Sequence, residues 1–109
     1  MQKEYVQVVT SVATKEDGQA LARHLVEQRL AACAQVGGPI TSFYRWQGEL
    51  EQEEEFQVLA KSRSDLSLAL VDEIRKKHDY ETPEILVLPI ITGNSDYLSW
   101  LDEELRTSP

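Results

Sequence analysis

Apolar and polar residues alternate from Tyr5 to Val12, with Val6, Val8 and Val12 on one side and Val9 adding apolar content to the other. That period of two predicts a strand with at least one buried face. The period then changes. Leu21, Ala22, Leu25 and Val26 share one helical stripe, opposite Arg23, His24, Glu27 and Gln28, which predicts a helix over about 15–29. Thr14 stands as its N-cap, and Glu16 and Asp17 follow where acids meet the positive end of the helix dipole. Residues 33–36 predict a short second strand. Gly37-Gly38-Pro39 interrupts it with a bend or bulge, because glycine frees the dihedrals and proline removes a donor.

The next segment is the most informative. Thr41, Phe43, Tyr44 and Trp46 favour strand, and Gly48 breaks the run before a block of acids. If residues 40–50 form one strand, it spans roughly 36 Å at ~3.3 Å per residue. A compact domain of this length is only about 34 Å across. The turn is expected within 47–53, in an acidic tip, and the return strand over 55–61 puts Phe56, Val58 and Ala60 on one face. Such an arm outruns its own domain. Its aromatics need cover, and a second copy of the chain is the expected source.

A second helix is predicted over about 65–77, capped by Ser62 or Ser64, with Leu66, Leu70 and Ile74 at i+4 spacing. Thr82-Pro83 ends the helical region. Residues 84–91 then read Glu-Ile-Leu-Val-Leu-Pro-Ile-Ile, a strand apolar on both faces, and Pro89 assigns it to a sheet edge. Asn94 or Ser95 caps a last helix with Leu98, Leu101 and Leu105 inward. The order is β-α-β twice, plus a terminal helix. It predicts an α+β, ferredoxin-like split unit: an antiparallel sheet with two helices on one face, forming one domain over 1–109. The other face lacks cover, which again points to dimers or trimers. Tyr44 and Trp46 are expected to anchor that interface, and Tyr97 and Trp100 to close the core or an interface.

Charge and cysteine content narrow the function. A formal net charge of −8 opposes binding to nucleic acid or anionic lipid, which needs clustered Lys and Arg. No apolar stretch approaches the ~20 residues of a membrane span, and the N-terminus shows no signal-peptide core. The single cysteine, Cys33, rules out an intrachain disulfide and suits the reducing cytoplasm. Phosphate-loop, zinc-protease, C-x-x-C and nucleophile-elbow motifs are all missing, and no nucleophile–base pair is legible, so no enzyme is expected. Cys33 is expected to be a core thiol and His24 a surface residue. Glu49, Glu51 and Glu53 would share one strand face at a solvated tip. His78, at the end of the second helix beside Asp79-Tyr80-Glu81, is the best candidate ligand. Imidazole suits Cu and Zn, thiolate suits Cu(I), and Glu81 or Glu84 could add oxygens.

Five phrases then combine. They are Arg29-Leu30-Ala31-Ala32-Cys33, Ile40-Thr41-Ser42-Phe43-Tyr44-Arg45-Trp46-Gln47-Gly48, His78-Asp79-Tyr80-Glu81-Thr82-Pro83-Glu84-Ile85, Leu88-Pro89-Ile90 and Asp96-Tyr97-Leu98-Ser99-Trp100. In order and spacing the chain resembles the CutA divalent-cation-tolerance proteins from its first strand to its last helix. The resemblance implies a homotrimer similar in architecture to the PII signalling proteins, linked to copper and other divalent cations, with no established reaction. It implies a loose metal site at His78, Cys33 and Glu81, and structural roles for Tyr44, Trp46, Pro83, Pro89 and Trp100. Some members carry a further Cys on the first strand and a second His before the matched one. Thr10 and Lys77 stand at those positions, so of that ligand set only His78 is kept. The competing expectation is a PII-like adaptor that binds a small anion or a protein and has no metal role of its own.

Overall fold

The alternation at the N-terminus is realised as strand β1, Tyr5–Val12, in a computed structural model that describes residues 4–108. Val6, Val8 and Val12 enter the main core. Helix α1 covers Lys15–Glu27, and the Thr14 hydroxyl accepts the Asp17 N–H at 3.1 Å, as the capping pattern requires. It stops two residues short of the expected end because Arg29 turns into the left-handed region at φ 57°. Leu21, Ala22 and Leu25 are buried, but Val26 is exposed. Gly18 faces the sheet. A Cβ there would lie 3.1 Å from Val36 Cγ1 and 3.3 Å from Val12 Cγ2, so glycine lets α1 sit close to the strands.

The second strand is longer than its first segment suggests. Strand β2 runs unbroken over Cys33–Trp46, and β3 returns over Glu49–Arg63. Gly37-Gly38-Pro39 does not end β2. The register shifts there by one residue, from Gly37 opposite Gln57 to Ile40 opposite Glu55, which makes the interruption a bulge. The hairpin turn is only Gln47-Gly48, both at positive φ (51° and 83°), the combination that a tight primed turn demands. The acids expected at the tip therefore belong to β3, because a two-residue turn has no room for them.

After β3, a single 3-10 turn at Ser64–Leu66 leads into α2, Ser67–Lys77. Neither expected serine caps this helix. The N-cap is Leu66, while Ser62 is buried and its hydroxyl donates to the Leu30 carbonyl at 2.6 Å. Strand β4, Ile85–Ile90, pairs antiparallel with β1, and α3, Ser95–Glu104, begins at Asn94, whose side chain accepts from the Asp96 N–H. The sheet order β2-β3-β1-β4 is the ferredoxin-like order, with β4 on the edge as Pro89 indicates.

Both α1 and α2 cover one sheet face, where Leu25, Leu70 and Ile74 pack on Val8, Val58 and Ala60. Helix α3 closes one end of the sheet around a smaller cluster of Ala32, Leu66, Leu101 and Leu105. Its clamp is Arg63, 7% exposed. The guanidinium donates from Nε and Nη2 to the two Asp65 oxygens at 2.6 and 3.3 Å, from Nη1 to Asp102 at 3.0 Å, and from Nη2 to the Arg106 carbonyl at 2.9 Å. The hydrogen bond to Asp65 leads the causes that raise its pKa. Replacing Arg63 with alanine leaves Asp65 and Asp102 facing an empty socket. The expected loss is about 3 kcal/mol, the low end for breaking a buried ion pair because Asp65 is half exposed, read as a lower urea midpoint at unchanged slope.

Candidate functional site

β1 pairs with β3 only as far as Phe56. Beyond that point the hairpin is a bare two-stranded ribbon, and it stretches the molecule to 46 × 25 × 22 Å. Cross-strand pairs Trp46–Glu49, Tyr44–Glu51, Ser42–Glu53 and Ile40–Glu55 place both aromatics and four carboxylates on one face of the arm. Partial loss of solvent, then the charges of Glu53, Glu51 and Glu55, raise the pKa of Tyr44. Phe43, Tyr44, Trp46 and Leu50 are exposed, with Leu50 at 70%. So are Leu86, Val87 and Leu88 on the β4 edge, and Ile91 beyond it at 94%.

At the root of this arm, the loop after α2 carries His78. Its Nδ1 accepts the Tyr80 N–H at 3.0 Å, and its Nε2 lies 2.7 Å from the Ser11 carbonyl oxygen. A backbone N–H can only donate and a carbonyl can only accept. The ring is therefore the Nε2–H tautomer, with both nitrogens engaged. The Tyr80 ring tilts against it at a centroid distance of 4.7 Å, and the Tyr80 hydroxyl donates to Glu55 Oε2 at 3.0 Å. Glu55 is buried at the foot of the arm. One short loop thus grips β1 through His78 and the arm through Tyr80. The start of β4 is fixed separately: the buried Thr10 hydroxyl donates to the Glu84 carbonyl at 2.6 Å. Nothing local in the sequence announces the Tyr80–Glu55 or Thr10–Glu84 contacts, since their partners are 25 and 74 residues apart.

Cys33 lies elsewhere. It opposes Lys61, four residues along β3 from the Gln57 that opposes Ser11, a separation of about 13 Å. It is half-buried rather than in the core: Ala34 opposite Ala60 takes the face under α1 and α2, so Cys33 takes the other, near Tyr97 of α3. Partial burial, then the adjacent Cys33 thiol, raises the Tyr97 phenol, and Tyr97 and Trp100 stack at 5.6 Å with both partly exposed. Glu81 is exposed on the His78 loop and Pro83 is half-buried. His24 is no free surface residue: it bonds Glu73 across to α2 at 2.6 Å, which lowers the Glu73 pKa. One chain therefore does not gather His78, Cys33 and Glu81. Among the described residues, no group of three or more His, Cys, Asp or Glu is placed to hold an ion. A divalent cation does not fit these residues as a site within one subunit.

The CutA1 divalent ion tolerance protein model matches residues 6–104. The chain belongs to the CutA1 family. It is 43% identical to the divalent-cation tolerance protein CutA of Salmonella newport over 103 residues, covering 94% of this chain and 90% of that one. Among solved structures, CutA1 from Oryza sativa superposes with a TM-score of 0.93 at 35% identity, covering 96% of each chain. The CutA1 of Thermus thermophilus gives 0.90 at 38% identity over 94% of this chain and 99% of that one. The CutA of Archaeoglobus fulgidus, described as periplasmic, gives 0.90 at 33% over 94% and 99%. The ferredoxin-like, PII-like fold of CutA1 is therefore the fold of this chain.

Burial, and then the hydrogen bond to Glu55, push the Tyr80 phenol from 10.0 up to about 12. A raised pKa means that the folded state holds the proton more tightly. The stabilisation is complete below the unfolded value near 10 and is lost as pH climbs through about 12. An ultraviolet titration of the native protein should show one tyrosine ionising last. Tyr80→Phe should remove that step and flatten the alkaline decline in stability. An unchanged final step would show that the Tyr80–Glu55 bond does not form.

Proposed function

We propose that this chain acts in divalent-cation tolerance as a homotrimer, and that any cation is held loosely in the clefts between subunits. The observation that carries the reading is the uncovered apolar surface of the arm and the β4 edge. Tyr44, Trp46, Leu86, Leu88 and Ile91 are all exposed, and apolar side chains grouped on an arm and a sheet edge mark an association surface. Trp100 joins the same proposed interface, with Pro83 and Pro89 shaping the segments on either side of the edge strand.

Loose binding follows from the chemistry of the loop. Glu81 is free to reach a neighbouring subunit, and Cys33 would have to approach from another chain. His78 can donate a nitrogen to copper or zinc only by giving up the Tyr80 N–H or the Ser11 carbonyl. That exchange subtracts from affinity. The acidic balance of the chain raises the local cation concentration without forming a site. We place the protein in the cytoplasm, on the strength of its single unpaired cysteine.

The occupied nitrogens of His78 favour a second reading. It is a PII-like adaptor trimer that binds a small anion or a protein and has no metal chemistry of its own. Calorimetry separates the two. Cu²⁺ and Zn²⁺ should bind the wild type weakly, and His78→Ala should bind Cu²⁺ several-fold more weakly still. Superimposable isotherms remove His78 from any site and leave the adaptor reading.

A further inference from the structure

The end of α2, the loop behind it and helix α1 line an open cavity of about 210 Å³ within a single subunit. Its floor is apolar: Val12 from the end of β1 with Ala20 and Leu21 from α1. Its rim is charged with both signs. Asp17 stands on one side, and Lys77 and Asp79 on the other. Among the described residues, none of these three side chains hydrogen-bonds another side chain, although Lys77 lies within electrostatic reach of Glu73 on α2. His24, His78 and Tyr80 also line the space, but His24 Nε2 is held by Glu73, and the polar atoms of the other two are committed to Ser11, to each other and to Glu55. They act as walls. The volume equals roughly seven waters, below the size of a nucleotide site and suited to a solute of about ten heavy atoms.

We infer that this cavity binds a small zwitterion with an apolar side chain, an α-amino acid. Two carboxylates on the rim favour an ammonium. The C-terminal end of α2 adds partial negative charge beside Asp79, while Asp17 sits at the positive end of α1. The single lysine supplies a partner for a carboxylate. The floor takes a short branched hydrocarbon, because Val12, Ala20 and Leu21 offer no polar atom beyond the backbone. A ligand with one charge forgoes one of the two ion contacts, each modest at this exposed rim, and a fully polar ligand wastes the floor. The cavity shares His78 with the proposed metal reading, so the test is run on protein freed of metal.

Calorimetry on the full chain with L-valine and L-leucine tests this. Both should bind saturably, and the methyl ester of leucine and isovalerate should each bind at least about tenfold more weakly. Lys77→Ala should weaken the amino acid but not the ester. Asp79→Asn should weaken the amino acid but not isovalerate. Ala20→Leu, at an exposed helix position, should fill the cavity and abolish binding while circular dichroism and melting stay those of the wild type. Saturable binding that survives Ala20→Leu would place the ligand elsewhere and overturn the assignment. So would the absence of saturable heat with both amino acids, or equal binding of the ester and the acid.

Discussion

The structure depends on a hairpin that is longer than the sheet supporting it. β3 lies between β1 and β2 only as far as Phe56, yet its ladder with β2 continues to Glu49. Past the bulge, two strands hold only each other. An isolated two-stranded ribbon is marginal in water, and each of its outer edges offers unpaired backbone groups. This ribbon also carries Phe43, Tyr44, Trp46 and Leu50 into solvent. The chain therefore folds a well-packed half, the sheet under α1 and α2, and extends a second half that its own residues do not cover. The proposed assembly follows from that imbalance.

The foot of the arm shows how the two halves are joined. Glu55 is the last β3 residue before the three-stranded region, and its buried carboxylate accepts from Tyr80. His78 anchors the same loop to Ser11 on β1. The arm's root and the end of β1 are thus held by two side chains two positions apart. This is also where the family phrase beginning at His78 lies, so in one chain that phrase reads as a structural joint. Imidazole donates and accepts here as a spacer between two backbone groups. That role needs a histidine as much as a metal site does, and it leaves no lone pair free for a metal.

Much of this is legible in the residues. The period-two run at Tyr5–Val12, the Thr14 and Asn94 caps, the bulge at Gly37-Gly38-Pro39 and the edge position of Pro89 all follow from local chemistry. The features that local chemistry misses are decided by distant partners. Ser62 has the local pattern of a cap but serves the Leu30 carbonyl, and His24 sits on a polar stripe but reaches Glu73. The acids suggest a tip because charge clusters favour loops, whereas Gln47-Gly48 already closes the turn and cross-strand pairing carries the acids into β3. The usual burial of thiols argues for Cys33 in the core. Its strand parity points it away from α1 and α2, and parity depends on the register with Lys61. Asp65 is a local partner of Arg63, but nothing local marks the hub, since Asp102 and the Arg106 carbonyl arrive from α3 and the tail.

Further copies of the same chain are expected to shelter the uncovered half. Light scattering coupled to gel filtration at low micromolar concentration decides this. A single species of three times the 12.4 kDa chain mass, unchanged on dilution, is the expected result. A well-folded species of 12.4 kDa, with the arm's tryptophan in water and the fold intact, contradicts it.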